Sequence, residues 1–119
     1  MYRKLAESGG RVLGYHCSGT ITQAEVKEIH REIEQTLAEH GSVRLLMELG
    51  DLSMPDPMAA LEDLKLTPEY LTDVERFAII GDERWQRWLT SLTDVVAKGS
   101  ARHFEPGQLT EAWSWVKED

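Results

Sequence analysis

Two short runs of unbroken apolar residues constrain this chain most: Leu45-Leu46-Met47 and Phe77-Ala78-Ile79-Ile80. A strand on a half-exposed sheet alternates apolar and polar side chains. A run without alternation has to be covered on both faces, which is the condition of a strand inside a parallel sheet. Parallel neighbours cannot be joined by a tight turn. They need a crossover of a dozen or more residues, usually a helix.

The flanking sequence supplies such helices. Val26, Ile29, Ile33 and Leu37 recur at helical spacing. Thr22-Gln23-Ala24-Glu25 is a capping box ahead of them, and Gly41 stands in the C-cap place. Asp56-Pro57 reads as an N-cap with proline in the first turn of a second helix carrying Met58, Leu61, Leu64, Tyr70 and Leu71, interrupted or restarted at Thr67-Pro68. A third helix follows Gly81-Asp82 with Trp85, Trp88, Leu89, Leu92, Val95 and Val96, and ends at Gly99. A fourth starts at Pro106 and carries Leu109, Ala112, Trp113 and Val116.

Strands are expected over residues 2–7, 11–18, 43–49, 75–80 and 101–105, with Ser8-Gly9-Gly10 as a hairpin turn that makes the first strand antiparallel to the second. In the second, Leu13, Tyr15 and Cys17 share one face, and Val12, Gly14 and His16 the other. Residues 50–56 form a turn. The order β-β-α-β-α-β-α-β-α predicts an α/β fold: one mixed, mostly parallel five-stranded sheet with an antiparallel N-terminal edge and four main helices. At 119 residues this is one domain, spanning residues 1–119.

The chain carries a formal charge of -8 and a pI near 5.0, which repels a nucleic-acid backbone on average and argues against a nucleic-acid partner. A single cysteine, Cys17, excludes an internal disulfide and fits a reducing compartment. The start lacks a signal-like apolar run, and no stretch approaches the roughly 20 apolar residues of a membrane span. A cytoplasmic location is the expectation.

The Gly9-Gly10 hairpin, the Leu45-Leu46-Met47-Glu48-Leu49 strand, the segment from Ala78 through Gly81-Asp82 to Trp88, and Ala112-Trp113-Ser114-Trp115 together resemble SpoIIAA-like proteins of the STAS superfamily. The resemblance runs over residues 2–117. It implies a fold similar to the anti-sigma-factor antagonists and to CRAL-TRIO (Sec14-like) lipid-binding domains, and no single activity. In the antagonists an Asp-Ser-Ser-Gly motif opens the helix after the third strand, and a serine there is the phosphorylation switch. Here Asp56 keeps the aspartate, while Pro57, Met58 and Ala59 replace the rest. Without the hydroxyl, no phosphate charge can be added at that place.

Ligands of open α/β sheets bind outside the carboxyl ends of the strands. The candidate ligand- or partner-binding residues there are Asp51, Leu52, Met54, Asp56 and Met58, joined by Arg84, Trp85 and Trp88 if the two apolar strands pair. Each has a plainer reading. The tryptophans fit a core face, or an interfacial helix beside Arg76, Arg84 and Arg87. Met47, Met54 and Met58 fit core packing or an adaptable apolar groove. Glu48 shares a face with Arg44 and is partly exposed or paired with a nearby base such as Arg44, or else is a buried, unpaired carboxylate and a catalytic candidate. His30 and Glu34 have i, i+4 spacing with no third ligand, so no metal is expected.

The sequence thus predicts a non-enzymatic STAS-like binding or regulatory domain without the phosphoserine switch and without a cofactor. Its partner is a protein or a small apolar, lipid-like molecule, with peripheral membrane contact and a homodimer as further options. The alternatives are a small enzyme using Glu48 or Asp51 at the same place, and a structural dimerisation domain.

Overall fold

A computed structural model describes residues 1–53, 73–91 and 100–118. Its elements are β1 (Tyr2–Lys4), β2 (Val12–Gly19), α1 (Gln23–His40), β3 (Val43–Leu52), β4 (Val74–Ile80), α2 (Glu83–Ser91), β5 (Ala101–Phe104) and α3 (Leu109–Lys117). The sheet runs β1-β2-β3-β4-β5, with β1 antiparallel to β2 and every other pair parallel. Three of the expected helices are among the described residues, the one after Gly81-Asp82 only as far as Ser91. Leu92, Val95, Val96 and its expected end at Gly99 lie outside them, as does the helix expected around Met58, Leu61 and Leu64.

Sequential strand order has a geometric consequence. Right-handed crossovers that march in one direction deposit their helices on one face. Accordingly α1 and α2 share a face: Val26, Ile29 and Ile33 join Leu13, Tyr15, Cys17, Leu45, Met47, Phe77, Ile79, Trp85 and Leu89 in one buried cluster. The other face is covered by α3, the one described helix that is not a crossover. Ala112, Trp113 and Val116 pack there on Leu46, Ala78, Ile80 and Phe104. The apolar runs in β3 and β4 thus feed both clusters in alternation.

Helix α1 is bounded by its sequence signals. Thr22 accepts from the Glu25 amide, the Glu25 carboxylate accepts from the Thr22 amide, and Gly41 closes the helix in the left-handed region at φ 76°. At the other end of the chain, α3 begins at Leu109 rather than at Pro106. Pro106 and Gly107 form a turn with Gly107 at φ 96°, and the Gln108 side chain accepts from the Glu105 amide. The first strand also stops early, at Lys4, because the hairpin closes around Gly10. Gly9 and Val12 exchange two backbone hydrogen bonds of 2.9 Å, with Gly10 at φ 57°.

Helix α3 is fastened at two places. The outer edge of the Trp113 ring presses on Gly14 of β2: a Cβ at residue 14 would stand 2.3 Å from Trp113 Cη2. The helix C-terminus exposes carbonyls with no partner inside the helix. Buried Arg44 donates to the Val116 and Glu118 carbonyls at 2.9 and 2.7 Å, and Arg76 donates to the Trp115 carbonyl while lying over the Trp115 ring. Two cations at that end also complement the helix dipole. Arg44 additionally reaches Glu75 at 3.5 Å. It therefore does not pair with Glu48, which lies four residues and roughly 13 Å further along the strand.

Burial pushes the Glu75 carboxyl up, but the Ser42 hydroxyl, Arg11 and Arg44 outweigh it and hold it below its ordinary value. Hydrogen bonds from Arg84 do the same for Asp82. A carboxyl depressed in the folded chain adds stability above its unfolded pKa and loses it as pH falls through the folded one. Thermal stability should therefore fall as pH drops below about 4.5, the ordinary Glu75 value, and the fall should shrink in Glu75→Gln. A melting temperature that is flat from pH 6 to about pH 3 would contradict this linkage. Denaturant titration tests the α3 seat: Gly14→Ala should lose about 1–3 kcal/mol by overpacking. Gly9→Ala, where a Cβ meets nothing within 4 Å, should stay within about 0.5 kcal/mol of the parent.

Candidate functional site

The parallel pairing of β2 with β3 runs in step from Val12 opposite Arg44 to His16 opposite Glu48, then slips, so that Ser18 lies opposite Asp51. Two steps along β2 match three along β3, which is a bulge with one extra residue on β3. In a regular strand residues 48 and 51 point to opposite faces. The extra residue turns the second half of the strand over. Leu49 and Leu52, also three apart, accordingly enter the same buried cluster.

The result is a histidine held between two carboxylates at the carboxyl end of the parallel strands. The Glu48 carboxylate contacts His16 Nδ1, and Asp51 Oδ2 lies 3.2 Å from Nε2. The His16 and Glu48 side chains are largely covered, whereas Asp51 is 70% exposed and faces solvent. The expected turn at residues 50–56 thus begins later than expected, since Gly50 and Asp51 still belong to β3. Pairing with Ser18 and Gly19 of β2 extends the strand through Leu52.

Beside this trio opens a cleft of about 240 Å³, lined by Glu48, Gly50, Asp51, Ile80, Pro106 and Gly107. Gly50 marks where three elements converge. A Cβ placed on it would stand 3.9 Å from Gly81 Cα, just past β4, and 4.0 Å from Pro106 Cγ, in the turn before α3. The neighbourhood of residue 50 and the start of α2 was expected from pairing of the two apolar strands, and β3 and β4 do pair. A second cleft of about 210 Å³ lies between the hairpin and α1, bordered by Lys4, Ser8, Glu32 and Thr36. It is remote from the strands' carboxyl ends.

The remaining expected residues divide. Leu52 is buried in the core. Trp85 is fully buried, its ring against Gly81, where a Cβ would approach Cδ1 to 2.4 Å. It belongs to the core face and offers no side chain to a ligand or a lipid surface. Trp88 is half-buried and meets Trp85 and Phe77 edge-on. Arg84 is exposed and turns back onto Asp82 at 3.1 Å. Met54, Asp56 and Met58 lie outside the described residues. His30 lies 3.5 Å from Glu34, and no group of three metal-ligating side chains converges among the described residues. No described helix is long and apolar enough to cross a membrane.

His16 is the member that sequence reading passed over. Strand alternation placed it on the face opposite Cys17, which the structure keeps. Its meeting with Glu48 and Asp51 depends on the β2–β3 register and on the bulge, and neither leaves a mark in local periodicity.

Residues 12–117 match the model of the SpoIIAA-like family. The chain belongs to that family. An uncharacterized protein of the DUF3478 family with a SpoIIAA-like fold, from Shewanella loihica PV-4, is similar in structure with a TM-score of 0.66. The likeness covers 97% of this chain and 93% of that one at 24% sequence identity, and it bears on the fold alone. No curated protein matches the chain.

The one cysteine of this SpoIIAA-like chain stands apart from the site. Cys17 is buried among the α1-side residues, and burial pushes its thiol up to about 12. The thiolate is the reactive form. Ellman's reagent at pH 8 should therefore leave Cys17 unmodified in the native protein and react only after denaturation. Rapid labelling of the native state would show the strand open to solvent.

Proposed function

We propose that this SpoIIAA-like domain is a binding domain, and that it takes a small molecule in the cleft at the end of β3. The observation that carries the reading is the convergence of Gly50, Ile80, Pro106 and Gly107 around a cavity whose polar wall is Glu48 and Asp51. This is the position where α/β sheets hold ligands, outside the strands' carboxyl ends. A wall of two carboxylates favours a polar ligand over the apolar, lipid-like one that the methionines suggested.

A second reading, an enzyme working through His16 and the carboxylates, has the His16–Glu48 contact in its favour. The same geometry supports binding better. A general base needs a ring nitrogen free to reach substrate. Both His16 nitrogens face carboxylate oxygens instead.

An amide-resolved NMR screen of polar fragments tests the proposal. Binders should move the signals of Gly50, Asp51, Ile80 and Gly107. A Gly50→Leu variant, whose side chain fills the cleft, should lose those responses while keeping its fold. Responses confined to other surfaces, or unchanged in Gly50→Leu, would sink the reading. Chemical conversion of a bound fragment would favour the enzyme instead.

A further inference from the structure

We propose that the cleft at the end of β3 takes a compact organic cation of the alkylammonium or guanidinium class. This rests on the reading of the cleft as the ligand site and adds the sign and size of the ligand. Charge arithmetic carries it. Glu48 and Asp51 bring two negative charges to the wall, and His16, their shared neighbour, brings at most one positive charge. The site is therefore negative in every protonation state of the imidazole. The other lining residues, Gly50, Ile80, Pro106 and Gly107, carry no charge. Arg3 stands opposite His16 on β1, two strands from Glu48, so about 10 Å of sheet separates its backbone from the cleft wall.

Hydrogen-bond capacity points the same way. A carboxylate only accepts, and a neutral imidazole has one N–H to offer. His16 therefore cannot satisfy both acids in that state, and Asp51, the exposed one, keeps oxygens open toward the cleft. A ligand with several N–H donors and a positive charge complements that wall through charge-assisted bonds. At about 240 Å³ the space is below the roughly 300–1,000 Å³ of drug-sized sites, which selects a compact group. Exposed Pro106 offers an apolar surface to a short alkyl stem. Glu48 and Asp51 meet opposite nitrogens of the His16 ring, so the three side chains do not aim at one point as the ligands of a metal ion would.

Four probes separate charge from occupancy: n-butylammonium, methylguanidinium, butyrate and 1-butanol, titrated at matched ionic strength with amide-resolved NMR. The two cations should move Gly50, Asp51 and Gly107, and butyrate should not. Glu48→Gln and Asp51→Asn should each weaken the cation response about tenfold. Because Asp51 is exposed, its substitution leaves the fold intact. Glu34→Gln, on an exposed part of α1, should change nothing. If butyrate or butanol moves the same amides as strongly, or the cation response survives both substitutions, the charge inference falls while the cleft remains a small-molecule site. Silence toward all four probes would overturn both.

Discussion

Strand β3 gives Leu45, Met47 and Leu49 to one buried cluster and Leu46 to the other, so the sheet has to be covered twice. Strand order makes that demand uneven. With β1 to β5 in sequence, the crossover helices described lie on one face, and the opposite face is left to α3. A nine-residue helix is short to cover a sheet and marginal by itself in water. Its hold comes from tertiary contacts. Trp113 reaches the sheet because residue 14 has no side chain, and Arg44 and Arg76 take up the carbonyls that the helix end leaves open. Burying Arg44 is tolerable because its guanidinium is matched by two carbonyls and by Glu75.

The same uneven cover leaves room for the site. Helix α3 begins only after the Pro106-Gly107 turn, so among the described residues no helix caps the carboxyl ends of β3 and β4 on that side. The β3 bulge fills the opening with charge rather than with apolar side chains. One inserted residue turns Asp51 toward the face that already holds Glu48, and His16 bridges them. Bulges often occur where a side chain must be re-aimed next to a functional site. Here the re-aimed side chain is an acid that no local pattern would have placed beside Glu48.

Legibility followed the range of the interaction. The Thr22–Glu25 capping box and the Gly41 C-cap involve residues a few positions apart, and both stand in the structure as the sequence implied. The unbroken runs at Leu45-Leu46-Met47 and Phe77 to Ile80 correctly implied parallel, doubly covered strands. The Trp85 helix face was readable as core for the same reason. Strand ends were less legible. Gly50-Asp51 reads as a turn by residue type, yet pairing with Ser18 and Gly19 keeps both residues in β3. Glu48 was visible as an anomaly in an apolar strand, and it is indeed partly exposed and paired with a base, but that base is His16 on the neighbouring strand rather than Arg44 on its own.

What the sequence alone determined is the class of the molecule: an α/β domain with an antiparallel hairpin edge, a capped first helix and two buried parallel strands. Those features follow from residue spacing and local backbone preference. What only the tertiary structure decided is who meets whom across strands. His16 and Glu48 are 32 positions apart, and their contact exists because two strands adopted one register. Register is chosen by the sum of cross-strand hydrogen bonds and core packing, and a shift of one residue would send every side chain of a strand to the opposite face. The charge of the cleft at the end of β3 is a product of that choice.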